Sequence, residues 1–462
     1  MKKEKNKNAW LKFDQEGIER IFDFCEGYKS YMSLCKTERE SVIEAQRLAE
    51  EKGYKDLNTI IKNGEALKAG DKVYLNNKDK SLVLFLIGNS PLESGMRIIG
   101  SHVDSPRLDL KQHTLYEDGE MALMDTHYYG GIKKYQWIAL PLSIHGVVIK
   151  KDGTKIDVVI GEDDNDPVVG ISDLLVHLSG EQLQKKANEV IHGEDLNVLV
   201  GNIPLEGKDN DAVKANILRL LKEKYDFEEE DFISAEIEVV PAGKARDLGL
   251  DRSMVMAYGQ DDRICAYTSL MALLDLDSVE KTSVVLLVDK EEVGSQGATG
   301  MQSRFFENAV AEVMDRLGDY SDLKLRRALA NSCMLSADVT AAFDPNYASA
   351  YERKNTAYFG QGLVFSKYTG ARGKSGCNDA NPEFIAWLRN IMDKNDISYQ
   401  TAELGKVDQG GGGTIAYILA EYNMEVIDCG VALQNMHAPW EVSSKVDIYE
   451  TMRGYKTFLI EE

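Results

Sequence analysis

Side chains able to ligate a metal ion recur in this sequence just after short apolar runs. His102 and Asp104 follow Met96 to Gly100, and Asp261 and Asp262 follow Met254 to Ala257. Glu291 and Glu292 follow Val284 to Val288, and Asp338 follows Cys333 to Ala337. His437 comes in the loop after Met424 to Cys429. In open α/β sheets, sites form in the crevice beyond the carboxyl ends of the strands. If the five runs are strands of one sheet, they deliver imidazole and carboxylate to a single edge. Two histidines and several carboxylates without cysteine suit borderline divalent ions such as Zn²⁺, Co²⁺ or Mn²⁺. More carboxylates than one ion needs predict two ions sharing a bridging carboxylate, a hydrolytic arrangement that clamps nucleophile and substrate oxygen together.

Taken singly, each residue has a plainer reading. Adjacent acids are common in an acidic chain, and Glu228-Glu229-Glu230-Asp231 reads as solvated surface. Asp261 and Asp262 could merely cap the following helix, and His102 could be a satisfied loop histidine. The histidines at 113, 127, 145, 177 and 192 read as structural. What strengthens Glu291-Glu292 is its setting, between an apolar run and the glycines Gly294, Gly297 and Gly300. Two glycine patterns point elsewhere. Gly373-Lys374-Ser375 lacks the first glycine of a phosphate-binding loop, because Tyr368 stands there. Gly410 to Gly413 is read as close backbone packing near the site.

Around these loops the chain falls into three stretches. The first looks helical: Thr37 with Glu40 is a capping-box signature, and apolar residues from Val42 to Ala49 recur at helical spacing up to Gly53. Leu82 to Ile87 reads as a strand. From about Arg107 to Leu250, short strand-like runs dominate. Ile144 to Lys150 and Ile156 to Ile160 flank an Asp152-Gly153 turn, a strong hairpin signal. Glu162 to Asp166 and Gly207 to Asp211 read as surface loops. From Arg252 onward strands alternate with helices, including Ile264 to Leu274 and Phe305 to Leu317. Such alternation predicts an α/β sheet layered with helices. The expected division is a catalytic domain split into residues 1–106 and 251–462, interrupted by a β-rich insert at 107–250.

Composition narrows the partners. The 462 residues carry 76 acids against 54 bases, a formal net charge of −22. That surface repels phosphate backbones, so neither nucleic acid nor an anionic membrane is an expected partner. The lysine-rich stretch Met1 to Gly17 has no apolar segment of the secretory kind, and no run is long enough to span a bilayer. Six scattered cysteines without a Cys-x-x-Cys pair read as reduced thiols of a cytoplasmic protein.

Six ordered motifs resemble the signatures of the aspartyl aminopeptidase family of metallopeptidases. They are Ser-His-Val-Asp-Ser-Pro at 101–106, Gln-Asp-Asp-Arg at 260–263, Glu-Glu-Val-Gly-Ser at 291–295, Ser-Ala-Asp at 336–338, Asp-Pro-Asn-Tyr at 344–347 and Met-His at 436–437. The resemblance implies an α/β/α sandwich of the zinc-exopeptidase type, interrupted by a dimerisation domain and assembled into a tetrahedral homo-oligomer, commonly a dodecamer. It implies an aminopeptidase with two divalent metal ions per subunit, acting on peptides with a free N-terminus, acidic Asp or Glu among the residues removed. His102 and Asp338 would hold one ion, Glu292 and His437 the other, with Asp261 bridging. Asp104 would orient His102, and Glu291 would be the general base. Lys374 is the expected contact for an acidic substrate side chain. The chain departs from the family pattern at Asp173, Ala341 and Asp344, where other members carry histidines. A deacylase or carboxypeptidase of related fold, and a non-catalytic scaffold, are the competing readings at this stage.

Overall fold

A computed structural model describes residues 8–461; the first residues of the lysine-rich start lie outside the described residues. Two compact units emerge, one from Met1–Asp104, Ala245–Met436 and Glu441–Glu462, the other from Ser105–Lys244 and His437–Trp440.

The first unit is built on a nine-stranded sheet. Its order is Lys55–Asp56, Lys72–Asn77, Ser81–Leu86, Ser283–Val288, Arg97–His102, Cys333–Ser336, Glu425–Gly430, Leu363–Ser366 and Tyr399–Thr401. The four strands Ser283–Val288, Arg97–His102, Cys333–Ser336 and Glu425–Gly430 run parallel, so their carboxyl ends share one edge. Side-chain alternation assigns the two faces. Leu82, Leu84, Val285, Leu287 and Ile99 join a core with the helices Gln15–Leu34, Glu38–Glu51, Gln260–Leu274, Pro382–Lys394 and Lys445–Ile460. Val83, Phe85, Val284, Leu286 and Ile98 join a second core with Leu57–Asn63, Phe305–Arg316, Asp322–Ala330 and Ala416–Ala420. Period-two alternation with apolar residues on both sides makes these strands continuous apolar runs. The result is an α/β/α sandwich.

Local chemistry sets the elements. Thr37 and Glu40 form the expected capping box at Glu38–Glu51, worth about 1 kcal/mol. The five apolar runs do not all belong to one sheet, however. Met254–Ala257 lies in a separate five-stranded sheet, paired with Arg246–Leu248 and Glu441–Ser444. Nor do Asp261 and Asp262 cap a helix. Gly259 occupies that position without a side-chain cap, both aspartates have non-helical backbone angles, and the peptide joining them is cis.

The second unit holds a six-stranded antiparallel sheet in the order Lys155–Ile160, Leu142–Ile149, Ala235–Pro241, Arg107–Asp118, Met121–Tyr129 and Val198–Gly201. The Asp152-Gly153 hairpin has the expected register, with Ile149 opposite Lys155. One element adds to the strand-like pattern and one reading is corrected. A helix, Ala212–Tyr225, follows the loop at Gly207 to Asp211. The acid run ending at Asp231 is also not wholly solvated: Asp231 is buried and accepts from the Glu228 N–H at 2.8 Å. A carboxylate can satisfy backbone donors at a helix start as readily as face water.

Asp428, on the interior strand Glu425–Gly430, is buried, and burial pushes its carboxyl up to about 6 against the opposing hydroxyls of Thr414 and Ser336. Between the ordinary value of 3.8 and about 6, the folded chain binds a proton that the unfolded chain releases. Stability from this group therefore falls as pH rises through that window and is constant above it. Asp428→Asn should gain thermal stability relative to the parent from pH 4 to pH 6, then keep a constant offset. Melting curves with a pH-independent difference would contradict this.

Candidate metal centre

The parallel register explains the convergence. His102, the last residue of its strand, pairs with Val288, which places Glu291 and Glu292 just beyond it. Ser336 pairs with Gly100, and the Ala337 N–H donates to the Gly100 carbonyl at 2.7 Å, so Asp338 falls level with His102. Behind Asp338 runs Gly430, where a Cβ would come within 1.9 Å of the Asp338 carbonyl oxygen. Only glycine permits that approach.

Asp261 and Asp262 arrive from another direction, held by the rest of their motif. Gln260 donates to the Glu441 carbonyl at 2.7 Å and accepts from Tyr28 Oη at 2.9 Å. The Asp261 N–H donates to Glu441 Oε2 at 3.1 Å. Arg263 is buried, donates to the carbonyls of Gly259 and Cys35, and faces the Tyr258 ring.

Two overlapping groups result. Ligand-type atoms of His102, Asp261 and Glu292 lie within 4.8 Å of one another, as do those of His102, Asp262 and Asp338. His102 Nδ1 is 2.9 Å from the Asp104 carbonyl oxygen, which can only accept. Nδ1 therefore carries a proton; Nε2 faces Asp261 Oδ1 at 3.3 Å and can offer a lone pair to a cation once its own proton has left. The Asp104 carboxylate has a further task beyond orienting His102. Its two oxygens accept the backbone N–H groups of Glu291 and Glu292 at 3.1 and 3.2 Å. One buried residue thus fixes the imidazole and the glutamate pair together. Glu291 reaches to 3.9 Å from His102 Nε2 and keeps more exposure than His102 or Asp261.

Electrostatics test whether cations fit. Burial and the negative Asp262 and Asp261 push Asp338 well above the carboxylate range, and burial does the same to Asp262 against the attraction of His102. Burial opposes a charge on His102, but hydrogen bonding to Asp104 and Asp261 outweighs it and holds the imidazole well above its ordinary value. Neither oxygen of the fully buried Asp262 accepts a nitrogen or oxygen donor, although the Cys265 thiol bonds to its side chain. An uncompensated buried carboxylate costs several kcal/mol. Divalent ions remove that cost, and a donor set of carboxylates with one imidazole suits zinc and its borderline neighbours. The residues fit a metal.

Asp262, to which the family resemblance gives no role, stands with His102 and Asp338 in one of the two groups; the Asp261-Asp262 doublet was its signal in the sequence. His437 falls in the second unit, where its Nδ1 donates to the Gly131 carbonyl at 2.8 Å. Lys374 pairs with Asp379 at 3.0 Å, lies 3.9 Å from the Tyr368 ring centroid, and lines a cavity of about 380 Å³ with Arg372, Lys406, Tyr368 and Glu403. The glycine run is packed backbone to backbone: a Cβ on Gly410 would meet the Leu404 carbonyl at 1.6 Å.

Comparison with known proteins gives the family. Residues 31–459 match the family model described as aminopeptidase I zinc metalloprotease (M18). A Clostridium acetobutylicum protein named "Probable M18 family aminopeptidase 1" is 64% identical over 454 residues, 98% of each chain. The crystal structure of aminopeptidase I from that organism is 62% identical, covers 98% of this chain and 99% of its own, and superposes with a TM-score of 0.92. An M18-family aminopeptidase structure from Thermotoga maritima is 44% identical with complete coverage of both chains and a TM-score of 0.95. With its buried acidic centre on the expected sheet edge, this chain belongs to the aminopeptidase I (M18) family of zinc metalloproteases and is a metal-dependent aminopeptidase.

Proposed function

We propose that the chain removes N-terminal residues, acidic ones among them, from peptides at a centre holding two divalent cations. The observation that carries this is the surplus of carboxylates: Asp261, Glu292, Asp262 and Asp338 all stand in groups with His102, whose Nε2 can serve only one ion. Six carboxyl groups around one imidazole are more than a single ion needs. The assignment of His437 as a further ligand rests on the Met-His motif alone. Bound cations supply Lewis acidity, polarising a carbonyl and acidifying water from about 16 towards about 7.

Glu291 is the general base in this reading. Its neighbours Asp261, Asp262, Glu292 and Asp338 form the ligand groups, whereas Glu291 belongs to neither. It would take a proton from the attacking water and return it to the departing amine. Asp104 holds that carboxylate in place through the loop N–H groups. Lys374 is the proposed partner of an acidic substrate side chain, supported by the basic lining of its cavity from Arg372 and Lys406. On a chain of net charge −22, acidic substrates need such local cations.

Assembly into a homo-oligomer is part of the same proposal. Leu174, Leu175, Val176, Leu178 and Leu183 are all exposed in the insert, an apolar surface suited to a second copy. A structure sharing this fold at 21% identity, from S. cerevisiae, is described as a dodecamer. All six cysteines are free, which fits the cytoplasm; among the described residues no helix is long and apolar enough to cross a membrane.

Glu291→Gln should retain zinc while kcat falls by about 10²–10⁴-fold; near-normal turnover would remove Glu291 as the base. Lys374→Ala should lower kcat/KM for Asp and Glu substrates roughly tenfold, the size of one lost charge-assisted hydrogen bond, and spare neutral ones. An equal loss on every substrate would refute its role in specificity. Zinc returned to chelator-stripped protein should raise Tm, more at pH 8 than at pH 6. The upward-shifted carboxyls of Asp262 and Asp338 must lose their protons before a cation binds, and lower pH restores those protons. A Tm indifferent to zinc would contradict the centre.

A further inference from the structure

Among the buried ion pairs outside the acidic centre, where charges are rare, the cluster on Lys80 adjoins the loop that carries Glu291 and Glu292. Lys80 ends the turn between the strands Lys72–Asn77 and Ser81–Leu86 and is 8% exposed. Its Nζ lies 3.2 Å from Glu38 Oε1 and 3.8 Å from Asp289 Oδ2, and both carboxylates are buried. Glu38 opens the helix that Thr37 caps. Asp289 immediately precedes Lys290, Glu291 and Glu292.

The same hairpin also grips the far end of that loop. Asp289 Oδ2 accepts the Thr299 hydroxyl at 2.6 Å, and Asp289 forms a parallel bridge with Gly300. Ser81 Oγ donates to the Thr299 carbonyl, and Asn77 Nδ2 donates to the Ala298 carbonyl at 2.8 Å. Both feet of the 290–299 loop are thus tied to residues 77–81. Between the feet, Lys290, Gly294 and Ser295 have left-handed backbone angles, with φ of 70°, 97° and 59°. A loop with that many turns does not hold its side chains by its own regularity.

We infer that Lys80 is a positioning residue for Glu291 and Glu292, acting through Asp289, with Glu38 fixing the ammonium. The inference rests on the roles proposed above for the two glutamates. Stability alone is a poor explanation for the cluster, because buried ion pairs are commonly no more stabilising than apolar packing of the same volume. Placement is a better one. An ammonium offers three donors and can join two carboxylates from distant elements, and misplacing a reacting group by about 1 Å can cost about 10²-fold in rate.

Three variants of the holoenzyme test this: Lys80→Met, Lys80→Arg, and the triple Glu38→Gln/Lys80→Met/Asp289→Asn, which removes every buried charge while keeping shape. Lys80→Met and the triple variant should each lose about 10–100-fold in kcat with KM within about twofold. Both should release zinc at lower chelator concentration, because Glu292 is no longer held, and Lys80→Arg should recover most of the loss. A purely structural role predicts instead that the triple variant regains turnover. Parent-like kcat and zinc retention in the triple variant would overturn the inference, even if Lys80→Met alone fails to fold. Glu291→Gln separates the two failures: if it is inactive while the triple variant is normal, only the positioning role falls.

Discussion

Asp104, Asp261, Asp262, Glu291, Glu292 and Asp338 surround one imidazole at the edge of a buried sheet, and like charges at such spacing repel strongly in a medium poorer than water. Without cations the protein must protonate several of them, which is the direction burial pushes Asp262 and Asp338. With cations, Asp261, Asp262, Glu292 and Asp338 would serve as the proposed ligands. The fold around the site holds together a set of charges that only metal makes comfortable.

Three features of the sandwich perform that holding. Parallel strands end in register, so His102, Glu291-Glu292 and Asp338 meet by pairing rather than by loop chance. A separate small sheet and the saturated Gln260 deliver Asp261 and Asp262 from the side. Asp104 joins the two kinds of support, with its carbonyl on His102 and its carboxylate on the glutamate loop. Most of these supports are hydrogen bonds made to or within the backbone, the group least free to move, and this suits a centre whose geometry must be set before substrate arrives.

Much of this was legible in the sequence, for definite reasons. An apolar run followed at once by His102, or by Glu291-Glu292, is a local pattern, and strand ends in parallel sheets are where sites form. The capping box at Thr37 and the hairpin at Asp152-Gly153 are local too. What escaped depends on partners distant in sequence. Met254–Ala257 reads like a strand of the main sheet, yet its partner is Glu441–Ser444, nearly two hundred residues on. The helix Ala212–Tyr225 was hidden among strand-like segments. Asp262 looked redundant beside Asp261 because spacing cannot tell which way each of two adjacent carboxylates points. Lys80 and Asp289 carry no motif at all; their link exists only once the sheet has formed.

The central claim is that the buried acids form a cation site. An anomalous-difference map collected at the zinc edge tests it most directly, on crystals grown with zinc at neutral pH. The account predicts peaks about 2.0–2.2 Å from His102 Nε2 and from carboxylate oxygens of Asp261, Asp262, Glu292 and Asp338. A fully occupied map with peaks elsewhere, and none among these residues, would contradict it.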